Sequence, residues 1–233
     1  MSFEHSTTKD TARIVPVETP VAIEFNGIGY AVMMATPTDL EDFVAGFAHA
    51  EGLARCDEIA DVQLVEAGGG WVARANLPER SLPQILERAR TRVSESGCGI
   101  CGIDSVAAAL APIAPVSAIP NATPAAVHRA LTDLRSRQAL GQATGAAHAA
   151  AFCNPAGDIL LVREDVGRHN ALDKLIGALG RARIDREYGF VLLSARCSQE
   201  LVEKTVRAGI PMLVTISAPS SLSINRAREG KLT

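Results

Sequence analysis

The sequence predicts an α/β protein whose core is a mixed, partly parallel sheet, with a smaller α+β domain at the N-terminus. In the second half of the chain, short apolar segments such as residues 190–193 alternate with helical stripes, which is typical of βαβ units. The first half instead contains apolar segments paired around glycine turns. We therefore predict a domain at residues 1–80 and a second at residues 81–233.

Two strand pairs are predicted in the N-terminal domain. Asn26-Gly27 lies between the apolar residues 21–25 and 28–34, and this dipeptide favours a two-residue hairpin turn. A second pair is predicted at residues 62–65 and 71–77, around a run of three glycines.

The helix between these pairs is predicted from apolar residues at the spacing i, i+3, i+4 and i+7, which are Leu40, Phe43, Val44 and Phe47. Thr38 and Glu41 have the spacing of a capping box, so we expect the helix to begin there. A short helix through Ile85 and Leu86 follows the second strand pair.

The second domain is predicted to alternate helices and strands. Thr123-Pro124 indicates a helix start, because a capping threonine precedes a proline in the first turn. Strands are predicted at residues 147–153, 159–162, 190–193 and 212–216, and helices at residues 169–179 and 201–206.

Composition narrows the possible functions. The net charge is −3 and aromatic residues make up 4% of the 233 residues, which disfavours nucleic acid as a partner. No apolar run approaches the ~20 residues of a membrane span, and residues 1–13 lack an apolar signal core. The five cysteines, without a secretion signal, are typical of a reduced, cytoplasmic protein, so we expect cytoplasmic localisation and no membrane partner.

Cys98 and Cys101 form a C-x-x-C pair flanked by glycines. Such a pair binds zinc, exchanges disulfides or carries sulfur. Zinc needs two further ligands, and no second C-x-x-C supplies them, so no metal site is predicted. A thioredoxin-like pair normally follows a first strand, whereas this one lies mid-chain before a predicted helix start at Asp104-Ser105. Cys56, Cys153 and Cys197 are predicted to be small buried residues.

A second polar cluster, residues 163–174, runs from a strand end into a helix, where α/β folds place ligands. Arg168 has the chemistry to bind a phosphate, and His169 to move a proton near neutral pH. The alternative is a solvated salt-bridge cluster of Glu164, Asp165 and Arg168. Arg196, at another strand end, and His148, after a glycine turn, are further candidates.

Three motifs together resemble the FdhD family, the formate dehydrogenase accessory sulfurtransferases. They are Cys98-Gly-Ile-Cys101-Gly, Thr144-Gly-Ala-Ala-His148 and Glu164-Asp-Val-Gly-Arg-His-Asn-Ala-Leu-Asp-Lys174. The resemblance implies a homodimer with a cytidine-deaminase-like three-layer core. It also implies that sulfur passes from a cysteine desulfurase to the Mo or W of a bis-pterin guanine dinucleotide cofactor, which formate dehydrogenase requires.

The resemblance implies that Cys98 carries the persulfide and that Cys101 is its partner cysteine. We expect the cofactor to be contacted by His148, Asp165, Arg168, His169 and Arg196. The family pattern continues beyond Thr233 into a further strand and a basic segment. Two other functions stay open: a zinc-dependent deaminase-like hydrolase, although the deaminase zinc signature is absent from the sequence, and a cofactor-binding chaperone.

Overall fold

The computed structural model describes residues 12–59, 61–91 and 111–233. Its first sheet has the strand order β2–β1–β4–β3. The strands are β1 (Thr19–Phe25), β2 (Ile28–Ala35), β3 (Val62–Ala67) and β4 (Gly70–Ala75). The pairs β1–β2 and β3–β4 are antiparallel, and β1 and β4 are parallel. Both predicted strand pairs are therefore confirmed within one mixed sheet.

The second sheet has the order β6–β5–β7–β8. Its strands are β5 (His148–Cys153), β6 (Ile159–Asp165), β7 (Phe190–Arg196) and β8 (Leu213–Ser217). Because β5 is antiparallel to both neighbours and β7 is parallel to β8, strands β6, β7 and β8 all run in one direction. The ends of these three strands and the start of β5 consequently lie at the same edge of the sheet.

Helices surround both sheets. They are α1 (Leu40–Ala50), α2 (Leu82–Thr91), α3 (Pro124–Leu134), α4 (Ala139–Thr144), α5 (Arg168–Arg181), α6 (Gln199–Arg207) and α7 (Ser221–Glu229). Helix α6 connects the parallel strands β7 and β8, which confirms the predicted βαβ unit. Helices α4 and α7 were not predicted. None of the helices in the described part of the chain is long and apolar enough to cross a membrane.

Local sequence signals set most element boundaries. Asn26 and Gly27 have φ values of 53° and 76°, as a tight hairpin turn requires. Thr123 caps α3 by accepting a hydrogen bond from the amide of Ala126 at 3.2 Å. The predicted capping box is wrong: Asp39, with φ of 52°, precedes α1 and makes no side-chain cap. The chain enters α1 through a tight turn in which the amide of Thr38 donates to Thr36 O.

The two sheets share one hydrophobic cluster, in which Phe25 and Phe43 pack in the same core as Phe152 and Leu172. Its centre is the crossing of α1 and α5. A Cβ atom placed on Gly46 would lie 1.8 Å from the carbonyl oxygen of Asp173, so only glycine allows the helices to approach this closely. The division at residue 80 stays a prediction.

Candidate functional site

The described candidate residues lie at one edge of the second sheet. His148 begins β5, Asp165 ends β6 and Arg196 ends β7. His148 is paired in register with Asp165, and Arg196 with Ser217 at the end of β8. This convergence follows from the strand directions, and it is where ligands bind in open α/β sheets. Cys98 and Cys101 lie outside the described residues.

A cavity of about 300 Å³ opens at this edge, and we refer to it as the arginine pocket. It is lined by Arg168, Arg196, Cys197, Ser198, Ala218, Pro219 and Ser220. Arg168 begins α5, Arg196 ends β7, residues 197 and 198 connect β7 to α6, and residues 218–220 connect β8 to α7. Two of the described residues that line the cavity are thus arginines, and none of them is acidic.

Two of the three helices that begin at the pocket have no side-chain cap at their N-terminus. Neither Gly167, which precedes α5, nor Ser198, which precedes α6, makes a side-chain cap. Ser220, in contrast, caps α7 by accepting a hydrogen bond from the amide of Ser223. The Nε of Arg168 and the Oγ of Ser198 are buried without a hydrogen-bond partner. Uncapped helix N-termini beside two arginines form an environment that favours anions.

His169 follows Arg168 in the first turn of α5 and is 8% exposed. Its Nδ1 is 3.0 Å from Oε2 of Glu200 in the first turn of α6, while its Nε2 is buried without a partner. One turn further along both helices, Asp173 forms an ion pair with Lys204. Glu200 was missed by the sequence analysis. The available signal was an acidic side chain in the first turn of a helix after a strand.

Burial lowers the pKa of His148, and the positive charges of Arg168 and His169 lower it further. A hydrogen bond to the backbone of Ser194 opposes this effect, and so does the charge of Asp165. The uncharged imidazole is therefore favoured at neutral pH. An anion held at Arg168 would offset part of the positive field that acts on His148.

The described cysteines differ in their access to this site. Cys56 and Cys153 are buried, as predicted, and burial raises the pKa of the first thiol to about 11 and of the second to about 12. Cys197 was predicted to be an ordinary buried residue, but it is half-buried and lines the pocket. Burial also raises the pKa of the Cys197 thiol, so the protonated form is favoured.

Several polar residues of the 163–174 segment have structural partners. The carboxylate of Glu164 accepts hydrogen bonds from the amides of Leu140 and Gly141, both at 2.8 Å, and so caps α4. Asp165 is wholly buried and lies 2.7 Å from Nζ of Lys174. The alternative of a solvated salt-bridge cluster is therefore wrong for these two carboxylates. The predicted contact of Asp165 with the cofactor is untested, and its carboxylate is wholly buried within the turn that precedes Arg168.

Metal ligation has no support in the described ranges. Across residues 12–59, 61–91 and 111–233, no group of three histidine, cysteine, aspartate or glutamate side chains is arranged to hold a metal ion.

Together, the fold and site define an α/β protein with a cationic pocket at the ends of the strands of its mixed second sheet. The sequence matches the FdhD/NarQ family over residues 16–233, and the chain belongs to this family. The Sulfur carrier protein FdhD of Chromobacterium violaceum is 48% identical over 218 residues, which span 92% of this chain and 81% of that protein. The protein of the same name from Variovorax paradoxus is 44% identical over 220 residues, spanning 94% and 79% of the two chains.

The fold is also similar to that of a solved structure. A crystal structure from Desulfotalea psychrophila, assigned as a formate dehydrogenase accessory protein, superposes with a TM-score of 0.68 and 27% sequence identity. The match covers 94% of this chain and 82% of the other.

Proposed function

We propose that this protein is a sulfurtransferase that serves formate dehydrogenase. It accepts persulfide sulfur from a cysteine desulfurase and delivers it to the Mo or W of a bis-pterin guanine dinucleotide cofactor, which is its substrate. The observation that carries the proposal is membership of the FdhD/NarQ family, in which relatives that span most of this chain are named sulfur carrier proteins.

In this proposal the sulfur is held by the C-x-x-C pair. Cys98 takes the sulfane sulfur, and the Cys101 thiolate attacks the inner sulfur of the Cys98 persulfide. A Cys98–Cys101 disulfide forms and hydrosulfide leaves towards the metal, so two thiol sulfurs are oxidised as one sulfane sulfur is reduced. In the alternative route, Cys101 holds the sulfur without forming the disulfide.

The arginine pocket supplies the second part of the function, which is to hold the anionic cofactor. Arg168 and Arg196 provide charge, and the start of α5, which has no side-chain cap, provides backbone donors. A diphosphate is the part of a dinucleotide that matches these groups. We assign the remaining contacts to His169 and His148, because both residues lie at the same edge of the sheet.

We further propose a cytidine-deaminase-like core, a homodimer and a cytoplasmic location. The core is supported by the order β6–β5–β7–β8, with β5 antiparallel to its neighbours and helices packed against the sheet. No specific observation favours the zinc hydrolase. A cofactor-binding chaperone would use the same pocket without needing the thiols. The requirement for the thiols therefore distinguishes a sulfurtransferase from a chaperone.

The test is to incubate the protein with a cysteine desulfurase and cysteine, and then to weigh its peptides by mass spectrometry. We expect the mass of one additional sulfur on the peptide that contains Cys98, and its loss in Cys98→Ser. An unmodified Cys98 peptide would refute sulfur carriage. A Cys98→Ser, Cys101→Ser variant that still activates formate dehydrogenase would establish the chaperone instead.

A further inference from the structure

Asp165 is the centre of a buried polar network, which we call the Asp165 node. Its Oδ2 forms an ion pair with Nζ of Lys174 at 2.7 Å and accepts a hydrogen bond from the amide of Thr36 at 3.0 Å. Its Oδ1 accepts hydrogen bonds from the amide of Gly167 at 2.8 Å and from Nδ2 of Asn170 at 3.0 Å. Four donors therefore converge on one carboxylate, and both members of the Asp165–Lys174 pair have wholly buried side chains.

We propose that Asp165 is a positioning residue that aims Arg168 into the arginine pocket without touching the ligand. This inference rests on the proposed anion-binding role of the pocket. Between Asp165 and Arg168 there are only two residues, and each has its amide fixed by the node. Val166 N donates to Oγ1 of Thr36 at 3.1 Å, and Gly167 N donates to Asp165 itself.

The turn has little freedom to adopt another shape. A Cβ atom on Gly167 would lie 3.0 Å from Nδ2 of Asn170 and 3.4 Å from Oδ1 of Asp165, so even a methyl group would be tightly packed there. The carbonyl of Gly167 then accepts the hydrogen bond from Ala171 that begins α5. The direction in which Arg168 leaves the helix start is thus determined by the node.

Stability alone is a weak reason for such a pair. Removing two charges from water costs several kcal/mol per ion, and apolar replacements of a buried ion pair are often as stable. The node achieves something that an apolar pair would not, because a carboxylate accepts hydrogen bonds from three other groups around the turn. This favours a role in fixing geometry.

The node also ties the pocket to the N-terminal sheet. Nδ2 of Asn170 donates to the carbonyl of Met34 at 2.8 Å, and Nζ of Lys174 donates to the carbonyl of Thr36 at 2.9 Å. Both carbonyls lie at or just after the end of β2. The position of Arg168 therefore depends on a segment about 130 residues earlier in the sequence, as the separation of Thr36 and Val166 shows.

The test measures inorganic pyrophosphate binding to the full chain by isothermal titration calorimetry at low salt. Asp165→Asn keeps the side-chain volume but turns an NH₂ group towards Lys174 and the Thr36 amide. We expect the dissociation constant to rise about tenfold. In an Arg168→Ala background the same change should add nothing, because the side chain that Asp165 aims is gone. In an Arg196→Ala background it should again cost about tenfold.

Asp42→Asn is the matched control. Asp42 is 7% exposed and binds Arg163 and Arg181, away from the pocket lining. It should lower the melting temperature without changing the dissociation constant. If Asp165→Asn does not fold, Thr36→Val replaces it, since valine keeps the shape and removes only the hydroxyl that accepts from Val166.

Additive losses of Asp165→Asn and Arg168→Ala would overturn the inference, and so would equal weakening by the Asp42 control. A parent protein that does not bind pyrophosphate would overturn it as well. Sulfur loading of Cys98, measured in the same samples, should be unchanged by Asp165→Asn. Failure of the parent to load sulfur would refute the proposed sulfur carriage while leaving the binding cycle interpretable.

Discussion

Gly46→Ala should destabilise the protein, although alanine is the better helix former. Gly46 lies in α1 where that helix crosses α5. The added Cβ would meet the carbonyl oxygen of Asp173 at 1.8 Å and its carbonyl carbon at 2.6 Å. Ordinary contact begins at 3.4 Å, so the crossing must open by roughly 1.6 Å, the difference between these distances. Both obstructing atoms are backbone, which no rotamer change can move.

The size of the effect follows from two opposing contributions. Overpacking a closely fitted core costs about 1–3 kcal/mol, and a displacement of two helices belongs at the upper end. Replacing glycine by alanine inside a helix returns about 1 kcal/mol. We therefore expect the free energy of unfolding to fall by about 2 kcal/mol.

Urea denaturation followed by circular dichroism measures this change. Gly177→Ala should behave alike, because its Cβ would lie 1.9 Å from the carbonyl oxygen of Asp42 on the facing helix. Gly29→Ala is the control, since its added Cβ has no atom of the described residues within 4 Å apart from its chain neighbours. A Gly46→Ala protein as stable as its parent, or more stable, would refute the close crossing.

Three further predictions concern the thiols, the histidines and a helix cap. In the native protein at pH 8, iodoacetamide should leave Cys56 and Cys153 unmodified, because burial raises their pKa values to about 11 and about 12. Peptide mass spectrometry measures the alkylation. Modification of these two thiols as fast as in the urea-unfolded chain would contradict the prediction. Burial lowers the pKa of His49 and His148 from 6.5, so the unfolded chain binds more protons, and the free energy of unfolding should fall as pH drops below 6.5. Urea titrations at several pH values test this, and His49→Gln should flatten the slope; an unchanged slope would exclude His49 as a cause. Thr123→Ala should cost about 1 kcal/mol by removing the α3 cap, whereas Thr132→Ala in the same helix is exposed and should cost less.

Features encoded in adjacent residues could be predicted from the sequence. The Asn26-Gly27 turn and the Thr123 cap depend on a few neighbouring side chains, and both occur as expected. The convergence of Asp165 and Arg196 could also be anticipated, because the ends of strands that share a direction meet at one edge of a sheet. His148 joins them because β5 begins at this edge and runs antiparallel to both of its neighbours.

Features that depend on distant partners could not be predicted. Helix α4 has only six residues and receives its N-terminal cap from Glu164, on a strand that comes later in the chain. The capping box at Thr38 was expected from spacing alone. In the structure, the preceding Thr36 is bound to Asp165, and the chain enters α1 through Asp39 instead. The sequence contains no signal that pairs Glu164 with α4 or Thr36 with Asp165.

Within residues 163–174, some polar side chains have partners in the protein and others have none. This difference distinguishes residues with a structural role from those available to a ligand. Arg163 is bound to Asp42, Glu164 caps α4, and Asp165 is paired with Lys174. These polar groups are occupied by the protein itself. Three atoms of the segment are exceptions within the described residues: Nε of Arg168, Nε2 of His169 and Oδ1 of Asp173 are buried without partners. Asp173 is still paired with Lys204 through its other oxygen, whereas Nε of Arg168 and Nε2 of His169 lie at consecutive positions of one helix start. Since buried polar groups are rarely left unpaired, these two atoms are where a ligand has the most to contribute. Residues 163–165 therefore stabilise the turn through contacts within the protein, and Arg168 and His169, which follow the turn, are left to bind a ligand.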